Sequence, residues 1–207
     1  MFCAGITMFS PLKEWGAHRG GLRVGIVGIG GLGQMGVQLA RAMGNTVTAI
    51  STSPNKEAVA KEIGADTFVV STDPESMRAA AMSCDLILNT VSVSHELGTY
   101  LPLLVSWLFL PSIPISQAMR GTIVQLGVAM NAHAVYQLPL MMKKLRVTGS
   151  TIGGMLETQE CIDFCHRHKI VPRTKLVTAD ALLDIYKMLN SKNDSVVRNV
   201  LDIEASK

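Results

Sequence analysis

The residues best placed to do chemistry are glycines. Gly28-Ile29-Gly30-Gly31-Leu32-Gly33 follows the β-branched run Arg23-Val24-Gly25-Ile26-Val27 and precedes a stretch with helical apolar spacing. At such a turn the free N–H groups of a helix start, here Gly31 and Leu32, and the positive end of its dipole attract phosphate. Gly28 permits the tight turn, Gly30 removes a Cβ that would collide with a pyrophosphate, and Gly33 lets helix and strand approach closely. A lone G-x-G-x-x-G can be a purely structural turn. Here a strand before, a helix after and a second strand at the right distance supply the context of a dinucleotide site.

The end of the second strand selects the dinucleotide. An Asp or Glu roughly 20 residues past the glycines would bind a ribose 2′-hydroxyl. Ser51-Thr52-Ser53-Pro54-Asn55-Lys56 stands there instead. Three hydroxyls and one ammonium suit a 2′-phosphate that a carboxylate would repel. The expected cofactor is NADP(H), the alternative reading being a solvated loop whose serine caps the next helix.

Other constellations carry less. Cys161, Cys165 and His168 share a helical face, with His166 beside them, but ligands from one helix cannot close a tetrahedron without a second element. Packed sulfur-bearing side chains are the competing reading. His95 could be imagined as a general base, yet no positioned carboxylate accompanies it. The twelve methionines, Met141 and Met142 included, read as core filler. No Ser-His-Asp arrangement can be inferred.

The elements that position these residues alternate as βα units. Strands are expected at Arg23–Val27, Thr46–Ser51, Thr67–Val70, Asp85–Asn89, Thr122–Leu126 and Arg146–Gly149. Helices are expected over Gly31–Met43, Pro54–Ile63, Asp73–Ala81, about His95–Leu104 and about Pro139–Lys143. The fold class is therefore α/β, a doubly wound parallel sheet of the Rossmann type, in the strand order 3-2-1-4-5-6. Hydrophobic content of 48% with 17% charged residues demands a compact core. A net charge of +3 without a basic block argues against nucleic acid. Cys3, Cys84, Cys161 and Cys165 lack a disulfide-scaffold spacing, and no secretory signal is evident, which points to a reducing, cytoplasmic setting. The uncharged run Leu101–Met119 approaches the length of a membrane span, but Pro102, Pro111 and Pro114 break it; an irregular apolar insert over about 105–119 is expected, and no membrane partner.

These motifs together resemble the zinc-dependent cinnamyl alcohol dehydrogenases of the medium-chain dehydrogenase/reductase superfamily. The resemblance rests on Val24–Gly33, Ile50–Lys56, Gly64-Ala65-Asp66, Thr90-Val91-Ser92, and Gly149-Ser150-Thr151-Ile152-Gly153-Gly154 followed by Glu157-Thr158-Gln159-Glu160. It implies reversible hydride transfer between NADP(H) and a small alcohol/aldehyde pair. It implies that Cys3, in Cys3-Ala4-Gly5-Ile6-Thr7, is a zinc ligand and that Thr7 lies near the nicotinamide. It places Ser51, Thr52, Ser53 and Lys56 on the 2′-phosphate, and Thr90, Val91, Gly127, Val128, Ser150 and Ile152 along the nicotinamide half. The family's GroES-like domain would precede Cys3, so residues 1–20 would be a lead-in from it, 21–152 the NADP-binding domain, and 153–207 a C-terminal remnant of the catalytic domain. Most zinc ligands would then lie outside this sequence, leaving the catalytic set incomplete. The tail, with helices Glu157–His168 and Ala181–Leu189 and segments Arg173–Val177 and Val196–Ile203, would lack its packing partner. A homodimer through the edge strand near Arg146–Ser150 is implied by the same resemblance.

Overall fold

The computed structural model describes residues 1–106, 121–129, 134–190 and 197–205. Of the expected apolar insert, Val105 and Ser106 are buried, and 107–119 lies outside the described residues. Six parallel strands form one sheet: β1 (Arg23–Val27), β2 (Thr46–Ser51), β3 (Thr67–Val70), β4 (Leu86–Asn89), β5 (Thr122–Gln125) and β6 (Arg146–Gly149). Their order is β3-β2-β1-β4-β5-β6, as the alternation of strands and helices predicts. The register aligns Val27 with Ile50 and Asn89, Asn89 with Gln125, and Gln125 with Gly149. The carboxyl ends of five strands thus finish in one row, and the direction in which successive strands are added across the sheet reverses between β1 and β4.

Side-chain alternation divides the interior in two. Ile26, Leu86, Leu88 and Val124 join one cluster, while Ile87 and Ile123 join the other, on the opposite face. Helix α2 (Gly31–Ala42) covers the first face and ends cleanly. Gly44 turns through φ +84°, and the buried Asn45 donates from Nδ2 to the carbonyls of Ala40 and Ala17, both at 2.9 Å. Helices α3 (Glu57–Glu62) and α4 (Pro74–Ala79) complete the crossovers of the first half; Asp73 caps α4 through the N–H groups of Glu75 and Ser76. Asp85 holds the start of β4 to β1 by accepting from the Arg23 backbone N–H at 2.9 Å and from Nη2 at 2.8 Å.

Several expectations need correction. The helix expected over His95–Leu104 is a 3-10 stretch, Leu97–Leu103, because Pro102 has no N–H to donate and forces a tighter path. Met8, Met35 and Met43 are core residues, but Met141 and Met142, on α5 (Gln137–Lys143), are 72% and 60% exposed. Nothing among the described residues covers that side of the short helix, so they are not core filler.

Residues before β1 form a helix, α1 (Ala4–Glu14), buried from Ala4 through Phe9 and packed on α2. The tail is not without a partner throughout. Helix α6 (Met155–His168) docks on α1 through Phe9 against Phe164, ring centroids 5.8 Å apart, and the Lys13–Glu160 ion pair. Beyond it, β7 (Thr174–Val177) pairs in parallel with β8 (Arg198–Leu201), flanking α7 (Leu182–Asn190). Here apolar side chains do face outward, with Leu176, Leu183 and Tyr186 each about two-thirds exposed or more.

Candidate functional site

At the carboxyl end of β1 the chain enters the glycine turn. Gly28 takes φ +89°, and its N–H donates to the Ile50 carbonyl at 2.9 Å. The Thr90 hydroxyl lies 2.8 Å from the Val27 carbonyl and 3.0 Å from that of Gly28, tying the turn to the end of β4. A Cβ on Gly33 would sit 1.8 Å from the Gly28 oxygen, so only glycine allows the strand and α2 this approach. A Cβ on Gly30 would meet nothing within 4 Å. Gly30 caps α2 with no side-chain bond to the first helical amides, so Gly31, Leu32 and Gly33 open the helix without a side-chain cap. The turn therefore presents helix-start amides without a side-chain cap, open at Gly30 and closed at Gly33, an arrangement that favours an anion.

One strand over, Ser51 ends β2, 5% exposed, its Oγ accepting from the Ser53 N–H at 3.1 Å. Thr52 is exposed, and Ser53 and Lys56 are half-buried around the 3-10 turn Pro54–Lys56. Glu57, the nearest carboxylate in sequence, pairs instead with Lys61 at 2.7 Å. The loop keeps the hydroxyl-and-ammonium character that its sequence announces.

On the other side of the switch point, Thr90 and Val91 follow β4, Gly127 and Val128 follow β5, and Ser150 and Ile152 follow β6. A Cβ on Gly127 would lie 2.1 Å from the Val91 carbonyl oxygen, which makes these two turns a single packed unit. Ser150 donates its N–H to Gln125, and Ile152 is exposed with φ +38°. Thr7, 7% exposed, lies on α1 beside Ile6, whose Cδ1 comes within 2.8 Å of a Cβ built on Gly153. All the expected cofactor residues thus border the carboxyl edge of the sheet or the start of α1.

Two features escaped sequence reasoning. The Arg198 guanidinium, from β8, reaches within 3.7 Å of a Cβ built on Gly31, bringing a cation to the glycine turn. It borders a cleft of about 450 Å³ between Gly31, Gln34 and Met35 on one side and Val177, Tyr186 and Arg198 on the other. The second is a polar chain under the turns: Asn89, buried between strands, bonds both Gln125 and His95. The only advance signal for either was residue type.

The residues that could hold zinc do not assemble. Cys3 is exposed at the start of α1, and no group of three or more His, Cys, Asp or Glu among the described residues could hold a metal ion. Cys161 and Cys165 are buried against α1; Cys165 beside it and burial push the Cys161 thiol up. His168 stacks on Phe164 at 4.3 Å and His166 is exposed, so the helical cysteine-histidine face is a packing surface. No helix among the described residues is long and apolar enough to cross a membrane.

Comparison with known proteins agrees with this geometry. Residues 31–106 match the model of a family described as zinc-binding dehydrogenase. The whole chain is 40% identical to a protein described as a probable cinnamyl alcohol dehydrogenase from Populus deltoides, covering 54% of it. It is 39% identical, over 99% of its length, to NADP-dependent alcohol dehydrogenase C from Mycobacterium bovis, covering 55% of that protein. Among solved structures, CAD from Helicobacter pylori complexed with NADP(H) superposes with a TM-score of 0.80 at 29% identity, over 99% of this chain and 54% of that one. The chain spans about half the length of the curated relatives it matches, in their cofactor-binding half. Residues 31–106 carry the zinc-binding dehydrogenase domain, and the proteins that the chain resembles over its whole length are cinnamyl-type and NADP-dependent alcohol dehydrogenases.

Proposed function

We propose that this chain binds NADP(H) across the carboxyl edge of its sheet and is the cofactor-presenting unit of an alcohol/aldehyde oxidoreductase. The glycine turn carries the reading: a glycine-lined anion cradle at a helix start, open at Gly30 and closed at Gly33. Gly31, Leu32 and Gly33 would offer backbone N–H groups to the pyrophosphate, with Arg198 opposite them. Ser51, Thr52, Ser53 and Lys56 would hold the 2′-phosphate. Thr90, Val91, Gly127, Val128, Ser150, Ile152 and Thr7 would line the nicotinamide half. The dinucleotide, when bound, supplies hydride exchange with an alcohol/aldehyde pair; the protein supplies orientation and electrostatics.

Cys3 is the candidate zinc ligand in this reading. A catalytic zinc takes about three protein ligands, so the chain by itself should bind cofactor without turning over aldehyde, as a silent cofactor-binding module. The outward apolar side chains of β7 and α7 support a further role in association with another polypeptide surface. Residues 21 and 152 remain the proposed limits of the cofactor domain, and a reducing, cytoplasmic setting fits four free cysteines. β6 is an edge of the sheet, and pairing of two copies along it would make a dimer, readable by sedimentation.

The test is to titrate the purified chain with NADPH, following nucleotide fluorescence, while measuring zinc content and aldehyde reduction. NADPH binding stronger than NADH binding is expected. Absence of binding, or tighter binding of NADH, would overturn the cofactor assignment. Stoichiometric zinc with turnover would overturn the incomplete-site part alone.

A further inference from the structure

The polar chain beneath the nicotinamide-side turns has a direction that its two ends impose. At one end Gln125 Nε2 donates to the Gly127 carbonyl at 2.8 Å. A carbonyl can only accept, so the Gln125 amide nitrogen must face it and Oε1 must face Asn89. Asn89 Nδ2 donates to that oxygen at 2.7 Å. From the other side Asn89 Oδ1 accepts the Val91 N–H at 3.3 Å, which fixes the Asn89 amide in the same sense. Flipping either amide would set donor against donor at Val91 or acceptor against acceptor at Gly127. The remaining Asn89 Nδ2 hydrogen points at His95 Nε2, 2.8 Å away, so that nitrogen must be the acceptor. His95 Nδ1 must then carry the hydrogen, and it donates to the Val93 carbonyl at 2.7 Å. The imidazole is required as one neutral tautomer.

Resting on the cofactor site proposed above, we propose that His95 is a positioning residue for the nicotinamide half, acting through Asn89 and Gln125 on the Val91 and Gly127 turns and directly on the Val93 loop. Protonation would aim an N–H at the Asn89 amide nitrogen and break the chain at its centre. The resulting rotation would release the loop from Thr90 to Val93, and with it the contact in which Gly127 rests against the Val91 carbonyl. Among the described residues, the groups around the ring do not offset this. Tyr100 meets it edge-on at 5.8 Å, and burial pushes its phenol up, so it stays neutral in acid. Glu96 directs Oε1 toward Gly98, where Tyr136 also packs. Asn89 and Gln125, from the two strands, carry no charge.

The experiment compares NADPH with 2′,5′-ADP, which lacks the nicotinamide, between about pH 8 and about pH 5. The 2′-phosphate is common to both ligands, and the 5′-phosphate of 2′,5′-ADP titrates alike in wild type and variants, so the wild-type affinity ratio read against that of His95→Gln isolates the nicotinamide half. In the wild-type chain the NADPH advantage should fall in acid relative to that of His95→Gln. His95→Leu should weaken NADPH roughly tenfold at pH 8 and leave 2′,5′-ADP unchanged. His95→Gln, whose Oε1 can accept from Asn89 where Nε2 did, should restore NADPH binding and remove the acid loss. Equal weakening of both ligands in His95→Leu would mean a purely structural role and overturn the proposal. So would an unchanged acid limb in His95→Gln. If the wild-type chain binds 2′,5′-ADP but its ratio follows the same pH course as that of His95→Gln, His95 fails while the cofactor reading stands; if it binds neither, both fail.

Discussion

Replacing Gly33 by alanine puts a Cβ 1.8 Å from the Gly28 carbonyl oxygen and 2.9 Å from its carbon. Both are backbone atoms held in the turn by the Ile50 carbonyl and the Thr90 hydroxyl, so rotamer change cannot relieve the overlap. Ordinary contact would require α2 to retreat by about 1.6 Å, far more than a packed interior absorbs freely. Forced overpacking costs about 1–3 kcal/mol or more, which in a domain of this size lowers Tm by roughly 2–12 °C. The same retreat withdraws the Gly31 and Leu32 amides from the cradle, so NADPH affinity should fall at least tenfold in the protein that remains folded. Gly36→Ala is the internal control. Its Cβ overlaps Met8 Cε at 2.2 Å, the end of a flexible side chain that can swing aside. Calorimetry and NADPH fluorescence on both variants decide the matter. If Gly33→Ala melts within 2 °C of wild type and binds NADPH equally, the close approach of strand and helix is not what these glycines serve.

Four further outcomes follow from the same structure. Lys56→Ala should weaken NADPH by about tenfold while leaving NADH unchanged, and equal weakening of both would remove the 2′-phosphate role. Arg198→Leu should weaken 2′,5′-ADP-ribose-type ligands bearing a pyrophosphate more than 2′,5′-ADP itself; titration of both shows whether the guanidinium serves the glycine turn. For the thiols, an aromatic disulfide reagent at pH 8 should count one fast group, the exposed Cys3, with the buried Cys84, Cys161 and Cys165 appearing only on unfolding. Burial pushes Cys84 up from 9.0 to about 11, so the folded state holds the proton more tightly than the unfolded one. Its contribution is complete below pH 9.0 and is lost as pH rises through about 11, and Cys84→Ala should flatten that alkaline decline in a urea titration.

The sheet was readable because each strand is a short apolar or β-branched run bounded by a turn, and parallel strands with helical crossovers admit few orders. The glycine turn was readable for the same reason: its function depends on neighbours close in sequence. Helix α1 was not, since Pro11 interrupts it and Cys3 makes no side-chain cap, leaving neither a start nor a continuity signal. Arg198 approaches Gly31 only because β8 pairs with β7 and returns to the turn, a contact no local pattern carries. The Asn89–Gln125 bond depends on the register that sets those two residues side by side, and His95 joins it from a loop with no period at all.

The docking of α1 on α6 also has a consequence in time. Lys13 and Glu160 are separated by 147 positions, so one side of the first helix has no surface to meet until almost the whole domain has been synthesised. At about 5–20 residues per second, Phe9 waits roughly 8–31 s on the ribosome for Phe164. During that interval α1 already packs on α2, while the face that will meet α6 stays uncovered by it. Completion of this fold is a late event, gated by the arrival of α6 rather than by formation of the sheet.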